Sequence, residues 1–207
     1  MSETKSRGST LQRALSQPFV AADVLIALAR GWWYRGVCRL RRIPMQAGRN
    51  FRVYGRIRFG GPGRVIFGDN VSVRMEVTPF TYDANAVIAI GDGSFVNGTA
   101  FGCQSAIRIG ARAILANANI MDTDFHSLDV GRHEEGAPVR VAPVVLEENV
   151  WVAARAGILP GTTIGRNSVV GFGAVCAGVY PANSVIVGNP ARVVRAVPDE
   201  LRRPVPQ

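Results

Sequence analysis

From Leu146 onward an apolar residue returns at every sixth position: Leu146, Val152, Ile158, Ile164, Val170 and Cys176. Four positions after each stand Val150, Ala156, Thr162, Ser168, Ala174 and Tyr180, and all but the last are small or β-branched. Gly165 and Gly171 directly follow two of the apolar positions. The same beat occurs earlier at Phe67 and Val73, at Ile90 and Val96, and at Ile109, Leu115 and Met121. A period of six matches neither an α-helix nor a long amphipathic strand. It predicts a solenoid in which each hexapeptide is one short strand and one tight turn. The recurring aliphatic residue points inward, the small residue sits near a corner, and stacked turns bury a column that no single turn could bury. An ordinary all-β sandwich is the alternative, but it would not hold register through six consecutive hexapeptides.

The beat is interrupted twice. Between Val96 and Ile109 it slips, which predicts a small bulge or loop near Gly102–Arg108. Between Met121 and Leu146 it breaks over DTDFHSLDVGRHEEGAPVRVAP, a charged stretch with Gly131, Gly136 and Pro138. That stretch reads as a loop ejected from the solenoid, and loops on rigid scaffolds tend to carry function.

Upstream, residues 17–45 lack this pattern and read as helical. The apolar run from Phe19 to Ala29 is interrupted by Asp23 and is shorter than a membrane span requires. Trp32, Trp33 and Tyr34 follow among Arg30, Arg35, Arg39, Arg41 and Arg42. Two readings are open: an amphipathic helix making peripheral contact with an anionic membrane, or a helix packed on the β body or on a neighbouring subunit. The chain therefore divides into a helical segment (1–49), a β-solenoid (50–195) and a tail (196–207) carrying Pro198, Pro204 and Pro206.

Composition adds constraints. The 207 residues include 47% hydrophobic residues and 23 glycines, consistent with one well-buried, turn-rich domain. The formal charge of +9 favours anionic partners. No nucleic-acid motif accompanies it, and the aromatics do not alternate with basic residues, so nucleic acid is not expected. Cys38, Cys103 and Cys176 are widely spaced and form no CxxC pair. Together with a polar N-terminus lacking a secretory pattern, they point to a reducing cytoplasmic setting and to no structural metal.

Both histidines of the chain, His126 and His133, lie in the ejected loop. Imidazole is the usual proton acceptor near neutral pH. Asp122, Asp124 and Asp129 flank His126 and are candidates to orient its ring. His133 stands beside Glu134 and Glu135 and reads as a solvated loop residue.

Three motifs, NVWVAARAGILPGTTIG, SVVGFGAV and VGNPARVVR, resemble the C-terminal half of hexapeptide-repeat acetyltransferases. The maltose, galactoside, nodulation and exopolysaccharide-biosynthesis O-acetyltransferases are the most similar. The resemblance implies a left-handed parallel β-helix, a homotrimer with active sites between subunits, and acetyl-CoA as co-substrate in the groove between neighbouring helices. Such a left-handed connection departs from the usual crossover rule. The resemblance implies His126 as the base for an acceptor hydroxyl, on a sugar or glycan, with Asp124 beside it. It also implies the Ala154 backbone N–H as the donor to the thioester oxygen. Asn97, Trp151 and Asp122 fall among the acceptor contacts. Gly171, Phe172 and Ala177, with Ala154, fall along the cofactor, and Arg192 and Arg195 near its phosphates. Phe172 and Ala177–Gly178 depart from the family pattern, where Gly-Ala and Thr-Lys are common. Two other functions remain open at this point: N-acetylation of an amino sugar or antibiotic, and a non-catalytic β-helix scaffold.

Overall fold

A computed structural model describes residues 18–198. One helix, α1 (Pro18–Leu40), precedes a β-solenoid that opens with the strand Met45–Ala47. Short strands, all parallel but for the terminal one, stack into three sheets of seven, eight and six strands among the described residues. These form the three faces of a prism, a left-handed β-helix. Successive strands of one sheet come from successive coils. Val145 lies beside Thr163, Val152 beside Val170 and Ile158 beside Cys176, each pair eighteen residues apart.

Three hexapeptides make one coil, which is why the sequence beat is six. Leu146, Val152 and Ile158 lie on the first, second and third faces, and Ile164, Val170 and Cys176 repeat the order one coil later. All six side chains are buried in one continuous core. The corners are the second part of the code. Ala156, Thr162, Ser168 and Ala174 are buried there. The Thr162 hydroxyl donates to the Cys176 carbonyl at 3.0 Å, and the Ser184 N–H donates to the Ser168 hydroxyl at 3.1 Å. Asn149, Asn167 and Asn183 take left-handed backbone conformations at the corner between the first and second faces. Asn tolerates that region, and its side chain bonds locally. Here the amides form a ladder, Asn149 to Asn167 at 3.0 Å and Asn167 to Asn183 at 3.1 Å.

Three positions depart from the regular beat. Ile120, not Met121, is the buried residue of its strand and pairs with Ile158, so that hexapeptide is one residue short. Tyr180 is not a corner residue. It takes the core place on the first face beside Ile164, because that coil is sixteen residues long rather than eighteen. Its hydroxyl donates to the Ala191 carbonyl at 3.3 Å and so ties down the terminal strand. Near Gly102–Arg108 there is no extruded bulge. The strands Ala100–Cys103 and Ala106–Ile109 meet at an ordinary corner, and the additional residue is taken up within the coil.

Helix α1 covers the open N-terminal end of the prism. Ala27, Gly31, Tyr34 and Cys38, spaced along one face, are buried. The Tyr34 hydroxyl accepts the Ile57 N–H at 2.9 Å. Arg30 donates to the Tyr54 carbonyl at 2.8 Å and to that of Gly55, and Arg35 donates to the Gly48 carbonyl. A Cβ on Gly31 would overlap the Phe51 carbonyl oxygen, so glycine sets how closely the helix approaches the first coil. Gly31→Ala is expected to lift the helix and destabilise the chain by about 1–3 kcal/mol, despite the better helix propensity of alanine. Urea unfolding of the two proteins measures this, and an unchanged midpoint would refute it.

Candidate active site

The ejected loop leaves after the strand Asn119–Met121 and returns at Val144–Leu146. Its neck is a short antiparallel pairing. Thr123 bridges Val141, the Ala142 N–H donates to the Asp122 carbonyl at 2.9 Å, and the Asp124 N–H donates to the Arg140 carbonyl at 3.1 Å. The Arg140 guanidinium donates to the Pro160 carbonyl at 3.1 Å and anchors the returning arm on the next coil.

Asp122, expected among the acceptor contacts, is fully buried and points into the fold. Its carboxylate accepts the N–H groups of Gln104 at 2.7 Å and Ser105 at 2.8 Å, and the Cys103 thiol at 3.4 Å. These bonds cap the corner of the preceding coil and occupy both oxygens. The role of Asp122 is therefore to fasten the root of the loop, which corrects the expectation that it touches the acceptor.

Phe125 and His126 follow. Phe125 has φ of 61°, a left-handed conformation costly for an aromatic residue. Its N–H donates to the Thr123 hydroxyl at 3.2 Å. Its ring rests on Gly102, where a Cβ would collide with it, and meets Tyr82 edge-on at 5.0 Å. Tyr82 in turn meets Phe80 at 4.9 Å. This three-ring shelf was not identified from the sequence, although the alternating pair in TPFTYD and the phenylalanine preceding His126 are its signal. The clamped Phe125 and the buried Ser127 hold the short turn on which His126 stands. The His126 N–H donates to the Asp124 carbonyl at 2.7 Å. Its imidazole is exposed and engages no hydrogen bond, ion pair or ring among the described residues. The Asp124 carboxylate makes no hydrogen bond to that ring, and the link between the two residues is through the main chain. Asp129 and His133 are exposed farther along the loop, and neither side chain contacts His126.

A second group of expected residues gathers at the corner between the second and third faces. Asn117, Arg155 and Gly173 are left-handed there and bond coil to coil. The Arg155 N–H donates to the Asn117 carbonyl at 2.9 Å and the Gly173 N–H to the Ala154 carbonyl at 3.0 Å. The Ala154 N–H has no acceptor among the described residues and remains an open donor. Phe172 lies exposed beside it, with the Arg155 guanidinium 5.6 Å from the ring centroid. Arg155 is a neighbour that the sequence reading missed. Gly171 precedes Phe172, and a Cβ there would press on Val187. Trp151 stands outward on the second face in a row with Phe95, Ile114, Val169 and Val185. It is half-exposed rather than a core aromatic. Asn97 is on the same face and gives its carbonyl to the Asn117 N–H at 2.6 Å. Ala177 donates its N–H to the Tyr180 hydroxyl at 3.3 Å. Arg192 and Arg195 are exposed on the terminal strand, Ala191–Ala196, which pairs antiparallel with Ser184–Gly188.

The chain thus presents two separate groups: His126 on its loop, and Ala154, Arg155 and Phe172 at another corner of the prism. Among the described residues no hydrogen bond or cation–π contact joins them. Two buried thiols are unsuited to nucleophilic work. Burial, then the adjacent Asp122 charge and hydrogen bond, push Cys103 up to about 12, and burial pushes Cys176 up to about 11. Among the described residues no cluster of three His, Cys, Asp or Glu is placed to hold a metal ion.

Comparison with known proteins gives a consistent picture. The family model described as "Bacterial transferase hexapeptide (six repeats)" matches residues 143–178. A protein described as "Putative acetyltransferase YJL218W", from Saccharomyces cerevisiae, is 33% identical over 123 residues, covering 59% of this chain and 62% of that protein. The match therefore spans less than two thirds of the length of that curated relative. A hexapeptide-repeat acetyltransferase from Vibrio cholerae shares the fold at a TM-score of 0.55 and 22% identity, over 93% of this chain and 96% of that one. A maltose O-acetyltransferase from Clostridium difficile is 30% identical at a TM-score of 0.52, over 62% of this chain and 67% of that one. With its eighteen-residue coils and this identity across two thirds of the clostridial protein, the chain belongs to the hexapeptide-repeat transferase family.

Proposed function

We propose that this protein is an acetyl-CoA-dependent O-acetyltransferase acting on a hydroxyl of a sugar or glycan. The observation that carries the reading is His126: an unpartnered imidazole on a loop whose root is fastened by a buried carboxylate and whose turn is set by a clamped aromatic ring. Such an imidazole has a lone pair available for an incoming acceptor. His126 takes the hydroxyl proton as that oxygen attacks the thioester carbonyl. The C–S bond breaks, and the departing thiolate recovers the proton. The open Ala154 N–H is suited to the negative charge that develops on the carbonyl oxygen.

No hydrogen bond links the His126 loop to the Ala154 corner among the described residues, so the reading includes a homotrimer in which the loop of one copy faces the Ala154 corner of the next. The outward apolar row of Phe95, Ile114 and Trp151 supports a subunit contact of this kind. In this reading Gly171, Phe172 and Ala177 line the pantetheine arm. Arg192 and Arg195 offer paired donors to the phosphates, while Asn97 and Trp151 border the acceptor. Bound acetyl-CoA supplies the activated acetyl group. We infer a reducing, cytoplasmic setting from the three unpaired, buried cysteines.

The test is acetyl-CoA-dependent thiol release with a panel of glycans, followed by mass spectrometry of the product. An alkali-labile acetyl ester is expected. An alkali-stable acetamide would reassign the chain to N-acetylation, and the absence of both CoA binding and thiol release would leave the fold as a scaffold.

A further inference from the structure

At about 100° per residue, the buried face of α1 is centred on Ala27, Gly31, Tyr34 and Cys38. The opposite face holds Leu25, Ile26, Ala29, Trp33, Gly36 and Leu40, with no charged or polar residue among them. Leu25 is 67% exposed, Trp33 60% and Leu40 84%. Trp32, at 71% exposure, borders the same face, with the Arg35 guanidinium 5.2 Å from its ring centroid. A surface of this size and composition, left open on a helix bolted to its own fold, calls for a partner.

Charge identifies the partner. Arg39, Arg41 and Arg42 close the helix, are exposed, and form no ion pair among the described residues. Arg64 of the second coil lines the same cleft as Arg39 and Arg42. Asp23, the sole acid of the helix, is exposed but stands one turn before Ala27, off the outward apolar face. Two copies pairing through these faces would bring two such arginine groups together, and the faces themselves carry no acid to compensate them. An anionic lipid surface satisfies both features, with the apolar face entering the acyl boundary and the arginines remaining at the headgroups. No helix among the described residues is long and apolar enough to cross a membrane, so the geometry is that of a helix lying in the interface.

We propose that the outward face of α1 docks the protein peripherally on an anionic phospholipid surface. This stands independently of the acetyl-transfer reading. It explains the bonds of Arg30 and Arg35 to first-coil carbonyls, which fix the helix on the prism with its apolar side outward.

The test is co-sedimentation of the full chain with vesicles of phosphatidylcholine alone or with added phosphatidylglycerol. Partition into the anionic vesicles is expected to exceed that into neutral ones by about tenfold or more and to fall with salt. The variant Leu25→Glu/Ile26→Glu/Leu40→Glu, changed only at exposed positions, is expected to lose about tenfold or more. Arg39→Ala/Arg41→Ala/Arg42→Ala should retain weak binding and lose the lipid preference. Thermal unfolding verifies that each variant is folded, and transfer to a soluble acceptor should be unaltered. Equal partition of wild type and the glutamate variant would overturn the proposal. So would binding to neither vesicle, and so would a drop in oligomer mass of that variant without vesicle binding, which would assign the face to a second copy.

Discussion

Replacing His126 by alanine is expected to reduce acetyl transfer by about 10²- to 10⁴-fold, the range that a positioned general base contributes. The imidazole is exposed and holds nothing in place, so the thermal midpoint should scarcely move. Affinity for CoA should also be retained, because the residues proposed to hold the cofactor lie at another corner of the prism. The measurement is kcat by thiol release, with CoA binding by calorimetry on the same preparations. His133→Ala is the matched control, since that residue lies in the same loop beyond the clamped turn, and its turnover should equal wild type. Wild-type kcat in the His126 variant would remove it as the base.

Asp122→Ala is expected to produce the largest loss of stability of any single change in the loop. The carboxylate answers two buried N–H groups, at 2.7 and 2.8 Å, and alanine leaves both without an acceptor. Each buried donor left unpaired costs about 1–3 kcal/mol, so a loss of roughly 3–5 kcal/mol is expected, read as a lower urea midpoint. Asp122→Asn preserves the shape and one acceptor oxygen and should cost about half as much. Because the same residue fastens the loop root, turnover should fall in both variants while CoA affinity holds. An alanine variant as stable as wild type would show that the corner does not depend on this cap.

The regular part of the fold was legible because its physics is periodic. One aliphatic residue per face and one small residue per corner form a pattern that eighteen-residue coils repeat without interruption from Leu146 to Cys176. Legibility failed where coils change length. Ile120 and Met121 are both apolar, and only the pairing of Ile120 with Ile158 decides which enters the core. Tyr180 kept step with the corner count while occupying a core place, because a shortened coil leaves no mark in composition. At the site, His126 was recognisable as a histidine outside the repeat. The direction of Asp122 was not, since an aspartate that caps two backbone groups of an earlier coil looks in sequence like one facing solvent. The ring shelf of Phe80, Tyr82 and Phe125 joins residues from separate coils and depends on Gly102 being bare, a relation that no local window contains.

Stacked coils also make this protein a ruler. Each parallel layer advances the prism by about 4.8 Å, so axial distances along it change only in whole steps. The loop bearing His126 leaves at the end of the fourth coil, and the terminal hairpin bearing Arg192 and Arg195 closes the seventh. Three steps, about 14 Å, separate the two levels. A coil inserted between them would lengthen that interval by one layer while preserving every face and corner, and a coil deleted would shorten it by one. The span between the chemistry and the charged end of the molecule is therefore counted in repeats, and only changes at corners or in loops can adjust it by less.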